Sequence, residues 1–170
     1  MKKYLFMAAL LMIAALSLTS CGGDDEPKVK TTATTTYVMT FSPDLLEAAS
    51  IIMYYKAENG RVTFEPINST WWTKTVTSDK FPAEFGVKYV FGTKSDAELT
   101  KEKYDLVCDL SFTCATSKGA NYSNKITIIN EKEVAKKKVV STLEKYSGKS
   151  NGFKITEDGV PSVANNLNYD

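Results

Sequence analysis

The 170-residue chain contains no histidine. That absence removes Ser-His-Asp and Cys-His catalysis, the histidine-bearing zinc and haem sites, and the one side chain that exchanges protons near neutral pH unaided. Paired carboxylates, lysine, tyrosine or a hard-cation site remain, and spacing assembles none of them. Asp105 and Asp109 would share one strand face about 13 Å apart, at roughly 3.3 Å per residue. Glycosidase carboxylates stand about 5–9.5 Å apart. Asp96, Glu98 and Glu102 are scattered rather than gathered into one calcium loop. The sequence therefore predicts no catalytic residue, no metal and no cofactor, and argues against an enzyme.

An excess of either charge is also lacking. There are 21 Lys and Arg against 20 Asp and Glu. Binding phosphate needs a concentrated basic face, so nucleic acid is not an expected partner. Cysteine is scarce, with three in the chain. Cys108 and Cys114 fall on what reads as one extended strand, their Cα atoms about 20 Å apart. A disulfide needs less than about 7 Å, so they read as buried free thiols, paired only if that strand is broken.

Long apolar runs are missing except at the start, where residues 4–16 follow Met1-Lys2-Lys3. That run is short of the roughly 20 residues of a membrane span and fits a secretory signal of about 7–15 apolar residues. Leu18-Thr19-Ser20-Cys21 then resembles the bacterial lipobox, whose cysteine is acylated and begins the mature chain. The resemblance implies a lipid anchor at Cys21, and two or three acyl chains hold a protein stably to a membrane. Residues 1–20 are then the signal peptide. They hold two lysines and no acid, leaving 19 basic against 20 acidic residues.

Asp24, Asp25 and Glu26 resemble the export signal of surface lipoproteins of the Bacteroidota. This implies an outer-membrane protein facing the medium, the alternatives being a merely solvated acidic linker and a periplasmic location. Residues 21–35 are Gly, Asp, Lys and Thr with hardly an apolar side chain, and read as a flexible lipidated tether.

Residues 36–170 read as one β-rich domain. Tyr37, Met39 and Phe41 alternate with polar or smaller neighbours, as do Ile51, Met53 and Tyr55, and Phe85, Val87, Tyr89 and Phe91. The clearest strand carries Tyr104, Leu106, Cys108, Leu110, Phe112 and Cys114 on one side. Asp105, Asp109, Ser111 and Thr113 fall on the other, which predicts an antiparallel sheet with one wet face. Glu58-Asn59-Gly60 marks a tight hairpin. The polar stretch 93–103 reads as an exposed connection. Asn130 as cap and Glu133 three residues on predict a helix over about 131–147. Its apolar stripe would be Ala135, Val139, Leu143 and Tyr146, with Gly148 as its stop. Lys136-Lys137-Lys138 would be its solvated face, and residues 160–170 a tail that passes from ordered to frayed.

Seven or eight one-sided strands and one late helix predict a two-sheet antiparallel β-sandwich. The element order also resembles a lipocalin-like barrel, although the Gly-x-Trp usual near that family's first strand is missing. Lipobox, acidic tether and small β domain together resemble small surface lipoproteins of the Bacteroidota, a likeness that covers no catalytic motif.

Trp71-Trp72 is the most suggestive local feature. Adjacent strand residues face opposite ways, so one indole should be buried and the other free to stack on a sugar or a partner, with Tyr54 joining it. The plainer alternative is that loops cover both. The expected role is a non-catalytic surface binding or adhesion module for a glycan or protein. The alternatives are an accessory subunit of an outer-membrane or fimbrial assembly and a carrier of small apolar ligands. The sequons at Asn68 and Asn121 read as chance.

Overall fold

β6 (Lys103–Thr116) is the axis of the molecule, and its alternation explains its place. Tyr104, Leu106, Cys108, Leu110, Phe112 and Cys114 all point into the core. The computed structural model describes residues 30–58, 60–164 and 167–169. Two antiparallel sheets face each other across that core.

The first sheet has the order β4-β1-β6-β7, with β1 (Ala33–Phe41), β4 (Trp71–Ser78) and β7 (Asn121–Ala135). The second has the order β3-β2-β5-β8-β9. Its strands are β2 (Ala49–Lys56), β3 (Val62–Ile67), β5 (Ala83–Thr93), β8 (Ser150–Ile155) and β9 (Pro161–Val163). This is a β-sandwich, and the two sheets do not close into the alternative barrel. Aromatic rings fill the gap between them, with Phe153 stacked on Phe112 at 4.9 Å and tilted against Phe85 at 5.6 Å.

β1 begins at Ala33, so residues 33–35 belong to the sheet rather than to the tether. Their polar composition concealed this. Ala33 and Thr35 pair with Thr116 and Cys114 of β6 on one side and with Ser78 and Val76 of β4 on the other, and both are buried. After Phe41, Ser42 caps α1 (Pro43–Ala48), accepting a hydrogen bond from the Leu45 amide at 3.3 Å, with proline at the first helical position where its missing N–H costs nothing. The connection from Thr93 to Lys103 is exposed as expected, except that Leu99 turns inwards and is buried.

The helix over about 131–147 is corrected. β7 runs to Ala135, a single tight turn follows at Lys136–Lys138, and α2 covers only Val139–Tyr146. Asn130 pairs with Val107, Glu131 with Leu106 and Val134 with Tyr104, so strand pairing displaces the capping box. Glu133 adopts a positive φ of 50° at a bulge, where its amide donates to the Asp105 carboxylate at 2.9 Å. Glu133 therefore meets Lys103 at 3.5 Å. Of the predicted stripe, Val139 and Leu143 are buried. Gly148, at φ 75°, does end the helix.

The ordered part of the tail is longer than its composition suggests. Residues 161–163 form β9, and Leu167 and Tyr169 are buried outside the main core. Leu167 lies where a Cβ at either Gly86 or Gly152 would stand, 2.7 Å from each such position. These two glycines face each other across β5 and β8. Larger side chains there would exclude the tail.

Candidate functional site

β4 separates its two tryptophans as strand geometry demands. Trp72 is 7% exposed and sits in the core, stacked on Tyr37 at 6.5 Å and tilted against Tyr55 at 5.9 Å. Trp71 is 56% exposed, so loops do not cover both indoles. Tyr54 joins neither. It stands on the outer side of the second sheet beside Phe64, with ring centroids 5.9 Å apart, whereas Trp71 stands on the outer side of the first. Of the three aromatic residues, Trp72 thus lies in the core and Trp71 and Tyr54 on opposite faces, so the expected pairing of the free indole with Tyr54 does not form.

What accompanies Trp71 is a hydroxyl-rich plane, which strand registers arrange in four rows across β4, β1, β6 and β7. Trp71, Thr40, Asp109 and Thr127 make the first row, and Thr73, Val38, Ser111 and Lys125 the second. Thr75, Thr36, Thr113 and Ser123 make the third, and Thr77, Thr34, Ala115 and Asn121 the fourth. Ten of these sixteen positions are Ser or Thr. Rows about 6.7 Å apart and strands about 4.8 Å apart give a field of roughly 14 by 20 Å.

Cross-strand hydroxyl pairs join Thr34 to Thr77 and Thr36 to Thr75, each at 2.9 Å. The Thr73 hydroxyl donates to the Tyr37 carbonyl at 2.9 Å. The two charges on the field compensate each other. Asp109 lies 3.5 Å from Lys125 and accepts from the Thr127 hydroxyl at 2.7 Å. The sequence carried half of this signal, since threonines recur with period two at 34 and 36 and at 73, 75 and 77. It did not carry the register that sets those runs side by side.

A second cluster lies at the open side between the sheets, where edge strands β3 and β4 approach. Glu65 accepts from Lys74 at 2.6 Å, from the Tyr55 hydroxyl at 2.7 Å and from the Trp72 indole N–H at 2.9 Å. Burial pushes the Glu65 carboxyl up, but the three donors together outweigh it and hold it at about 2. All three donor groups converge on Glu65, and the cluster fastens one sheet to the other. Beside it are two shallow recesses of about 230 and 520 Å³, which share Ala57, Glu58 and Val76.

Cys108 and Cys114 are free and buried, as the strand spacing required. Burial pushes both thiols up, Asp109 adding to the effect on Cys108, so both are poor nucleophiles. Among the described residues no group of three or more Cys, Asp or Glu is placed to hold a metal ion. No helix among them is long and apolar enough to cross a membrane. Cys21, Asp24, Asp25 and Glu26 lie outside the described residues. No protein-family model matches the chain, and no curated protein matches it.

Proposed function

We propose that this chain is a lipid-anchored surface protein of the outer membrane that acts as a non-catalytic binding module. The observation that carries the reading is the position of Trp71, an exposed indole at the end of the sandwich opposite the entry of the chain. Thr40 lies beside Trp71, while Ala33 lies beside Ser78 and Lys30 pairs with Asp79 at 3.4 Å. Seven residues of β1 set the two ends about 24 Å apart. With acylated Cys21 at the membrane, the nine residues to Lys30 reach at most about 32 Å. The anchor then attaches at the entry end, and Trp71 stands at the end of the sandwich remote from that attachment.

The apolar-ligand carrier loses support because Tyr37, Phe85, Tyr104 and Phe153 fill the space between the sheets. The Phe64–Tyr54 pair, with Phe64 64% exposed on an edge strand, favours the accessory-subunit alternative, since an assembly needs an apolar contact. Sedimentation of the protein with and without Phe64→Ser separates the two. A monomer unaffected by the change supports the binding module.

Location is tested by protease treatment of intact cells, following an epitope inserted in the exposed 93–103 connection. The signal should disappear in wild type and survive in Asp24-Asp25-Glu26→Ala. Survival in both would place the protein on the periplasmic side and remove the surface role.

A further inference from the structure

Resting on the binding-module reading, we propose that the outer face of the β4-β1-β6-β7 sheet is a landing surface for a neutral polysaccharide. Trp71 stacks on a sugar ring at its corner, and the threonine rows accept hydrogen bonds from the sugar hydroxyls. Three observations select this ligand class.

The first is charge. Asp109 and Lys125 neutralise each other on the field, and Thr127 occupies a further lone pair of the carboxylate. A sulfated or phosphorylated polymer would find no unopposed cation among these rows.

The second is hydrogen-bond capacity. Each hydroxyl has one donor and two acceptor lone pairs. The Thr36–Thr75 pair consumes one donor and one lone pair. It thus leaves one donor against three acceptors, and the Thr34–Thr77 pair does the same. Thr73 spends its donor on the backbone and keeps both lone pairs. The field is therefore richer in acceptors than in donors, which suits a ligand dense in O–H groups. The threonine methyl groups and the Trp71 ring meet the apolar C–H faces of the same sugars.

The third is area. A field of roughly 14 by 20 Å, about 300 Å², is well below the roughly 800 Å² per partner of a stable protein–protein interface. It accommodates a few sugar rings lying flat. Protein partners also recruit several aromatic anchors, and Trp71 is the single aromatic residue in these rows.

The test is affinity electrophoresis of the folded protein in gels containing mannan, glycogen or a soluble β-glucan, with dextran sulfate as the anionic probe. At least one neutral polymer should retard wild type, and dextran sulfate should not. Trp71→Ala should weaken retardation at least tenfold, and the paired Thr36→Val and Thr75→Val change should do so severalfold. Melting temperatures should stay near that of wild type, because the altered groups are surface ones. Retardation unchanged in both variants would overturn this face while leaving a binding module elsewhere on the molecule. Retardation by dextran sulfate alone, or by no neutral polymer, would overturn the ligand class. The protease result stands apart from all of these outcomes, so loss of the surface role is separately visible.

Discussion

The two outer faces of the sandwich are built on the same antiparallel scaffold yet finished in opposite ways. On the five-stranded sheet, Gly86 and Gly152 leave a depression that Leu167 and Tyr169 fill. Around it Lys56 and Lys154 both pair with Glu84, and Tyr54 lies under Lys88 and beside Phe64. On the four-stranded sheet, none of the chain's described segments is laid across the threonine rows, and the side chains are short, polar and regular. One face is closed by Leu167 and Tyr169 and the other is left for water or a ligand. The difference shows that outward positions are not spare positions. Glycine in that phase admits a strap, whereas threonine, with high strand propensity and a hydroxyl, keeps a face flat and wet.

The inner side of a sheet should respond to substitution far more than either outer face, and β4 offers the sharpest contrast. Trp72→Ala should cost about 3–5 kcal/mol, the range for truncating a buried aromatic. Trp71→Ala should stay within about 0.5 kcal/mol, as for an exposed site. Denaturant titration of both variants checks this, and equal losses would show that the alternation has no energetic meaning.

Next in size is the strap. A Cβ at Gly152 would collide with the Phe85 carbonyl oxygen and stand 2.7 Å from Leu167 Cδ1. Gly152→Ala should therefore cost about 1–3 kcal/mol, as overpacking does. Ser111→Ala on the opposite face should change stability by less than about 0.5 kcal/mol. Similar midpoints for the two would erase the distinction between a closed and an open face.

The clasp at Glu65 adds a pH dependence at the junction of the two sheets. Its carboxyl is held below its usual value of 4.5, at about 2, so its stabilisation is complete above about pH 4.5. That contribution is lost as pH falls through the interval down to about 2. Glu65 is about one-third exposed, and solvent screening moderates the effect. Glu65→Gln should flatten this part of the stability–pH curve. An unchanged acid limb would assign the acid sensitivity to other carboxylates.

The smallest effect should be a gain. The Tyr169 hydroxyl is buried without a hydrogen-bond partner among the described residues. An unsatisfied buried group is unfavourable, so Tyr169→Phe should raise stability by up to about 1 kcal/mol. A loss on thermal melting would mean that the hydroxyl is satisfied in solution.

Much of this architecture was legible because a one-sided strand advertises its period. The six inward residues of β6, the Ile51-Met53-Tyr55 face and the stop at Gly148 follow from local rules. The misread parts depend on partners distant in sequence. Thr34 and Thr35 have tether-like composition and become strand because β4 and β6 pair with them on either side. Asn130 and Glu133 carry a local cap signal, and the extension of β6 back to Lys103 overrules it. The threonine field needs the registers of three strand pairs at once, which period and composition do not encode. Alternation marks both Tyr54 and Trp71 as outward aromatics, and only the assignment of their strands to different sheets separates them.

The strap has a practical consequence for handling the molecule. With Tyr169 buried over Gly86, a group fused directly after Tyr169 would start from the middle of the five-stranded sheet. A bulky fusion there would shade Phe64 and Tyr54 and leave the threonine rows clear. Immobilised by that end, the protein would present one face to an analyte and hide the other, so the fusion itself becomes a mask that distinguishes the two.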